Sequence, residues 1–176
     1  MEYETYVNCN GAIKTISEMT LKPGNRGHLY GDGLFETIRV FKGSVINLQY
    51  HIDRLREGAN CLKMNFPTNW DTSFFQVEIQ KILLKNNING GGRIRISLDR
   101  VAGGTYKPIS NDVVFLIEVY AIADEKFCLN ERGFIVDQYT EIRKNVDKLS
   151  NFKTKNALLY VLAAIYAQEN DLDDVL

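Results

Sequence analysis

Apolar residues either alternate with polar ones or form short continuous runs in the stretches that we predict to be strands. Ile94, Ile96 and Leu98 alternate with polar neighbours, which is typical of a strand with one buried face. Residues 113–120 are nearly all apolar, and they predict a buried strand. The other predicted strands are residues 3–7 and 12–16, which flank an Asn-Gly turn, and residues 34–41, 45–48 and 134–137.

Apolar residues at helical spacing predict two helices between these strands and one near the end of the chain. The first helix covers residues 48–62, with one apolar stripe that includes Leu48, Ile52 and Leu55. The second begins after Asp71, a residue type that caps helix N-termini, and carries apolar residues as far as position 83. The third covers residues 155–168.

This order of elements predicts an α/β (α+β) chain with two domains. Residues 1–120 contain enough strands and helices for a two-layer domain with an antiparallel sheet and two helices. Residues 121–126 lose periodicity and gain charge, so we predict a linker there. Residues 127–176 then begin a second α/β domain, but they supply too little to close a core.

The incomplete second domain leads to an expectation about the end of the chain. Residues 171–176 look like a loop that enters a strand without a partner. We expect a chain cut short within a larger protein, with the apolar face of the last helix partly uncovered or packed on another copy. The alternative is that the last residues fray on the surface.

Composition and charge exclude several classes of protein. The chain has 45% hydrophobic residues and a formal net charge of −1, which argues against disorder, nucleic-acid partners and membrane surfaces. Its N-terminus is acidic and lacks an apolar segment, so we expect no signal peptide, and no apolar run is long enough to span a membrane. Two histidines and three widely spaced cysteines form no metal-binding motif, so we expect no metal site, reduced thiols and a cytoplasmic location.

The glycines of residues 31–33 (GDG) are the first candidate for chemistry. Glycine loops that bind nucleotides lie between a strand and a helix, whereas here a strand follows, so a dinucleotide-binding motif is excluded. No GK[ST] sequence is present for a P-loop. By itself, such a GDG sequence is most often a turn.

Taken with two other segments, this motif resembles the class IV aminotransferase family of pyridoxal 5'-phosphate (PLP) enzymes. The segments are residues 30–39 (YGDGLFETIR), residues 51–55 (HIDRL) and residues 150–156 (SNFKTKN), the last followed by an apolar helix. This family includes branched-chain and D-amino-acid aminotransferases and 4-amino-4-deoxychorismate lyase. The resemblance covers nearly the whole chain.

The resemblance implies PLP as the cofactor, identifies residues 127–176 as the incomplete beginning of the PLP-binding domain, and assigns residues to the cofactor. Lys153 would be the catalytic lysine that forms the Schiff base and moves the α-proton, Arg54 would bind the phosphate, and Asn156 would lie at the cofactor. From the residues alone, Lys155 and Lys148 are rivals of Lys153.

The resemblance also places residues near the substrate. Tyr30 and Phe35 match positions near the substrate in relatives, and Arg95 would bind a substrate carboxylate if its strand lines a closed cleft. On an edge strand Arg95 would simply be solvated. Glu36 is equally well explained as an ordinary alternating polar residue, and we expect His51 to make a structural contact.

The implied function is transfer of an amino group from a small-molecule amino substrate to a keto acid by a homodimeric enzyme. The alternatives are a 4-amino-4-deoxychorismate lyase that releases pyruvate, and a non-catalytic binding domain of the same fold. A D-specific enzyme is less favoured, because residues 100–108 lack the histidine that D-amino-acid aminotransferases carry in this loop. By the resemblance, we expect the family's acid that pairs with the pyridine nitrogen to lie beyond position 176.

Overall fold

The computed structural model describes residues 5–123 and 129–176, which form two compact units. The larger unit contains residues 5–123 together with Phe152–Lys155, and the smaller contains residues 129–151 and Asn156–Leu176. Residues 124–126 of the predicted linker, as well as Cys128, lie outside the described residues. Among the described helices, none is long and apolar enough to cross a membrane.

A six-stranded sheet forms one layer of the larger unit. Its strands are β1 (Tyr6–Cys9), β2 (Ala12–Thr15), β3 (Gly33–Phe41), β4 (Ser44–Val45), β5 (Gly92–Arg100) and β6 (Val113–Ala121). They lie in the order β2-β1-β6-β5-β3-β4, and all neighbouring strands are antiparallel. The three long strands β3, β5 and β6 are therefore adjacent in the middle of the sheet.

Three α-helices and one 3-10 turn complete this unit. They are α1 (Arg26–Tyr30), α2 (Leu48–Cys61), α3 (Thr72–Lys85) and the 3-10 turn Ile16–Glu18. The Asp71 side chain accepts a hydrogen bond from the Phe74 amide at 2.8 Å, which confirms the predicted cap of α3. Strand β4 is shorter than predicted, because α2 already begins at Leu48.

The short helix α1 is not among the elements that the sequence pattern predicts. Its N-terminus is capped by the Asn25 side chain, which accepts from the His28 amide at 2.8 Å. Its C-terminus ends at Gly31, whose φ of 64° lies in the left-handed region that glycine tolerates. The capping residue and the terminal glycine are both present in the sequence. The helix between them is only five residues long, which is too short to show apolar residues at helical spacing.

The hydrophobic core lies between the sheet and helices α2 and α3, which confirms the predicted two-layer α/β architecture. One face of β3, β5 and β6 supplies apolar side chains that are almost fully buried, and the two helices supply the opposing ones. Those with no exposed surface are Ile38, Val40, Ile94, Ile96, Leu98 and Ile117 from the sheet, and Ile52, Ala59, Phe75, Ile79 and Ile82 from the helices.

The other face of the sheet is not covered by these helices. On β6, Val113, Phe115 and Ile117 are buried, whereas Val114 and Tyr120 are 38% and 40% exposed. The prediction that residues 113–120 are buried along their length is therefore wrong for alternate positions. Because a strand presents successive side chains to opposite faces, half of this apolar run lies on the side away from helices α2 and α3, here called the open face.

The smaller unit contains β7 (Val136–Asp137), α4 (Leu158–Glu169) and β8 (Asp174–Val175). Strands β7 and β8 pair in parallel, so the expectation that the last strand lacks a partner is wrong. The Tyr166 hydroxyl donates to Asp137 Oδ2 at 3.1 Å, which ties α4 to β7.

Helix α4 retains a largely exposed apolar face, in agreement with the expectation from sequence. Leu158 is 78% exposed, and Leu162 and Ile165 are 41% and 45% exposed. Ala167 is the buried residue of this helix.

Candidate active site

Phe35 and Arg95 lie together on the open face of the sheet. They occupy neighbouring strands, where Phe35 faces Ser97 and Thr37 faces Arg95 across the β3–β5 pair. The guanidinium carbon of Arg95 lies 3.9 Å from the centroid of the Phe35 ring, a cation–π contact. Arg93 and Arg95 lie on the opposite face from Ile94 and Ile96, which agrees with the alternation of apolar and polar residues in this strand.

The segment Phe152–Lys155 pairs with the beginning of β3. The Phe35 amide donates to the Lys153 carbonyl at 2.9 Å, and the Lys155 amide donates to the Gly33 carbonyl at 3.0 Å. An antiparallel bridge joins Leu34 to Thr154 between these two bonds. Because the other side of residues 33–40 is hydrogen-bonded to β5, the segment occupies the free edge of β3.

This pairing places Lys153 at the same aromatic ring as Arg95. The Lys153 ammonium lies 5.1 Å from the centroid of Phe35, and its residue is exposed. Across residues 5–123 and 129–176, no carboxylate forms an ion pair with Lys153. The structure therefore brings together Lys153, Phe35 and Arg95.

Lys155 is in a different environment from Lys153. Its ammonium lies 2.5 Å from Asp99 Oδ1, and the side chains of this pair are only 21% and 18% exposed. Since Asp99 holds the Lys155 ammonium, the two lysines that are equivalent in the sequence differ clearly in the structure.

Arg54 forms a bidentate ion pair with Glu36. Its Nε and Nη2 donate to the two carboxylate oxygens at 2.7 and 2.6 Å, and His51 Nδ1 lies 2.7 Å from Glu36 Oε2. The hydrogen bond with Glu36 raises the pKa of Arg54. Glu36 is only 1% exposed, so it is a buried partner of Arg54 and not an ordinary alternating polar residue.

Tyr30 lies at the end of α1 beside a second buried cluster of charges. The guanidinium carbon of Arg26 lies 5.0 Å from the Tyr30 ring centroid, and Arg26 Nε donates to Asp32 Oδ2 at 2.7 Å. Arg100 Nε donates to the same oxygen at 2.9 Å. Asp32 of the GDG motif therefore stabilises the loop by pairing with two arginines that are at most 7% exposed.

The other two predicted site residues are Asn156 and Arg54. Asn156 belongs to the smaller unit and is exposed. Arg54 pairs with Glu36, which lies on the face of β3 that packs on the helices, together with Leu34 and Ile38. The sequence analysis did not predict that Glu36 is buried. The signal was available, because Glu36 alternates in step with Leu34 and Ile38, which point to the core.

Comparison with known proteins identifies the family. The model of the family described as Amino-transferase class IV matches residues 33–176. The chain therefore belongs to this family, which confirms the resemblance inferred from its motifs.

Individual relatives have different activities. The chain is 28% identical over 169 residues to a D-alanine aminotransferase of Listeria innocua, over 95% of this chain and 57% of the relative. It is 30% identical over 90 residues to the aminodeoxychorismate lyase of Bacillus subtilis, over 51% of this chain and 30% of the lyase. The chain thus spans little more than half the length of the D-alanine aminotransferase it matches.

A solved structure supports the fold. The chain superposes with a TM-score of 0.80 on the branched-chain aminotransferase of the archaeon Thermoproteus uzoniensis, a structure solved with norvaline. The match covers 98% of this chain and 59% of the solved one, at 17% sequence identity. At this identity the likeness establishes the shared fold.

Proposed function

We propose that this chain carries the cofactor-binding lysine and part of the substrate site of a PLP-dependent class IV aminotransferase. The main support is that Lys153 and Arg95 approach the same Phe35 ring, while Lys155 is paired with Asp99. Membership of the class IV family implies PLP as the cofactor. When bound, PLP supplies an aldehyde for an amine and an electron-withdrawing ring.

The chemistry of the side chains fits this cofactor. PLP requires an amine for covalent attachment and a cation for its phosphate, and the candidates are Lys153 and Arg54. Glu36 takes the Nε–Nη2 edge of Arg54, which leaves Nη1 to donate to a phosphate oxygen. The Arg54 side chain as a whole is 40% exposed.

The three residues on the open face have complementary roles in this proposal. Arg95 binds the substrate carboxylate through its planar fork, and stacking on Phe35 restricts the orientation of that fork. A carboxylate held by Arg95 lies next to the Phe35 ring, and the Lys153 ammonium lies 5.1 Å from the centroid of the same ring. Lys153 Nζ, when neutral, takes the α-proton and later returns it.

Transamination is the favoured reaction, because aminotransferases account for most of the named relatives. The lyase reaction, which releases pyruvate, is the alternative, and the similarity to the Bacillus subtilis lyase supports it. A homodimer with a small-molecule amino substrate is part of the same proposal.

A panel of substrates tests the proposed function. The protein is first incubated with PLP and dialysed. In one series of assays it is given amino donors and a keto acid. In the other it is given aminodeoxychorismate, and the release of pyruvate is measured. We expect turnover in one series and the yellow absorbance of bound PLP in both. Lys153→Ala should lose both signals, whereas Lys148→Ala, the matched control, should keep them. A protein that stays colourless would instead be a binding domain.

A further inference from the structure

We propose that Asp99 is a positioning residue: by holding Lys155, it fixes the segment Phe152–Lys155 on β3 and thereby places Lys153 at Phe35. This inference rests on the proposed function of Lys153. Its structural part, the attachment of the segment, is independent of any cofactor.

Two glycines leave room for the Asp99 carboxylate. Asp99 faces Gly33 across the β5–β3 pair, and a Cβ added to Gly33 would overlap Asp99 Oδ1 and lie 3.0 Å from Lys155 Cδ. A Cβ added to Gly27 of α1 would lie 2.6 Å from the same oxygen. Real Cβ atoms do not approach so closely, so only glycine at both positions leaves room for this carboxylate.

The ion pair reinforces a short stretch of backbone pairing. Between them, the amides of Phe35 and Lys155 form two hydrogen bonds that join the segment to β3. Two such bonds on a strand edge open easily, because each contributes only about 1 kcal/mol net. The Asp99–Lys155 ion pair adds an electrostatic attraction in a site where both side chains are mostly buried.

This attachment acts on Lys153 through the geometry of an extended chain. Side chains two positions apart in an extended segment lie on the same side, so Lys153 and Lys155 project together. Because the Lys155 side chain is paired with Asp99, the Lys153 side chain two residues earlier is directed to the Phe35 ring. Loss of the pair should therefore loosen both the backbone pairing and the placement of Lys153.

The first test follows hydrogen exchange in the protein without cofactor. In Asp99→Asn, which keeps the shape and removes the charge, we expect the amides of Phe35 and Lys155 to exchange about tenfold faster. Asp112→Asn is the matched control, since Asp112 is an exposed carboxylate that binds Asn65, and it should leave both rates unchanged. Unchanged rates in Asp99→Asn would overturn the inference.

The second test separates positioning from simple structural support. In protein given PLP, the rate at which borohydride fixes the cofactor on Lys153 is compared in Lys155→Met and Lys155→Arg. We expect about a tenfold fall in the Met variant and recovery in the Arg variant, because arginine restores the cation. Faster amide exchange with an unchanged trapping rate would show that Asp99 is merely structural. If the wild-type protein fixes no cofactor on Lys153, the proposed function fails, while the exchange result still tests the attachment.

Discussion

Replacement of Glu36 tests how much the buried ion pair between Glu36 and Arg54 contributes to the stability of the fold. In Glu36→Gln, the side chain keeps its size but loses its negative charge. In the wild type, the Glu36 carboxylate oxygens lie 2.6 to 2.7 Å from nitrogens of Arg54 and His51. Removing one partner of a buried ion pair costs about 3–5 kcal/mol, because the other charge is left uncompensated. Here the loss is smaller, because the Arg54 side chain is 40% exposed and water can hydrate its charge. The glutamine side chain also retains one oxygen that can accept a hydrogen bond.

We therefore expect Glu36→Gln to lower the free energy of unfolding by about 2 kcal/mol. Urea denaturation followed by circular dichroism measures this change, provided that the m value stays constant. For a protein of this size, the midpoint of thermal unfolding should fall by about 4–8 °C.

An exposed ion pair on the same helix supplies the control. Asp53 pairs with Arg56 at 3.0 Å, and their side chains are 41% and 36% exposed. Asp53→Asn should change the free energy of unfolding by less than about 0.5 kcal/mol. If Glu36→Gln costs no more than this control, the reasoning that Glu36 is a buried partner of Arg54 is refuted.

Three further predictions concern other charged or reactive residues. Arg54→Lys should raise the dissociation constant of PLP about tenfold in a fluorescence titration, because lysine lacks the fork that binds Glu36 and phosphate together; an unchanged constant would exclude Arg54 from the phosphate site. Burial raises the pKa of Asp32, but hydrogen bonds from its two arginine partners outweigh this and leave the pKa below its ordinary value. This lowered pKa stabilises the folded protein at pH values above the unfolded-state pKa of about 3.9, and the stabilisation is lost as the pH falls through the folded-state pKa. Between about pH 5 and 2, Asp32→Asn should therefore lose less stability than the wild type when both are denatured. Cys9 and Cys61 are thiols in the structure and should both react with iodoacetamide in unreduced, denatured protein, whereas a disulfide detected by mass spectrometry would contradict this and the predicted cytoplasmic location.

Local patterns were sufficient to predict most of the larger unit. The alternation of Ile94 and Ile96 placed the buried face of β5 correctly, and Asp71 marked the beginning of α3. Such signals are contained within a few residues, so a single sequence reveals them. The open face was harder to predict, because an apolar run such as 113–120 does not show which side is covered.

The charge partners could not be predicted in the same way, because they come from distant parts of the chain. Asp99 lies far from Lys155 in sequence, and only the pairing of 152–155 with β3 brings them together. Glu36 and Arg54 meet through the packing of α2 on β3. Hence the sequence left Lys153 and Lys155 as rivals, and family resemblance rather than local pattern favoured Lys153.

The central claim is that Lys153 is the lysine that binds the cofactor, and one labelling experiment tests it directly. The protein is incubated with PLP, reduced with borohydride, digested and mapped by mass spectrometry for a pyridoxyl-modified lysine. We predict modification of Lys153, whose ammonium lies at Phe35 on the open face. Modification of Lys155 or Lys148 in its place would contradict the claim.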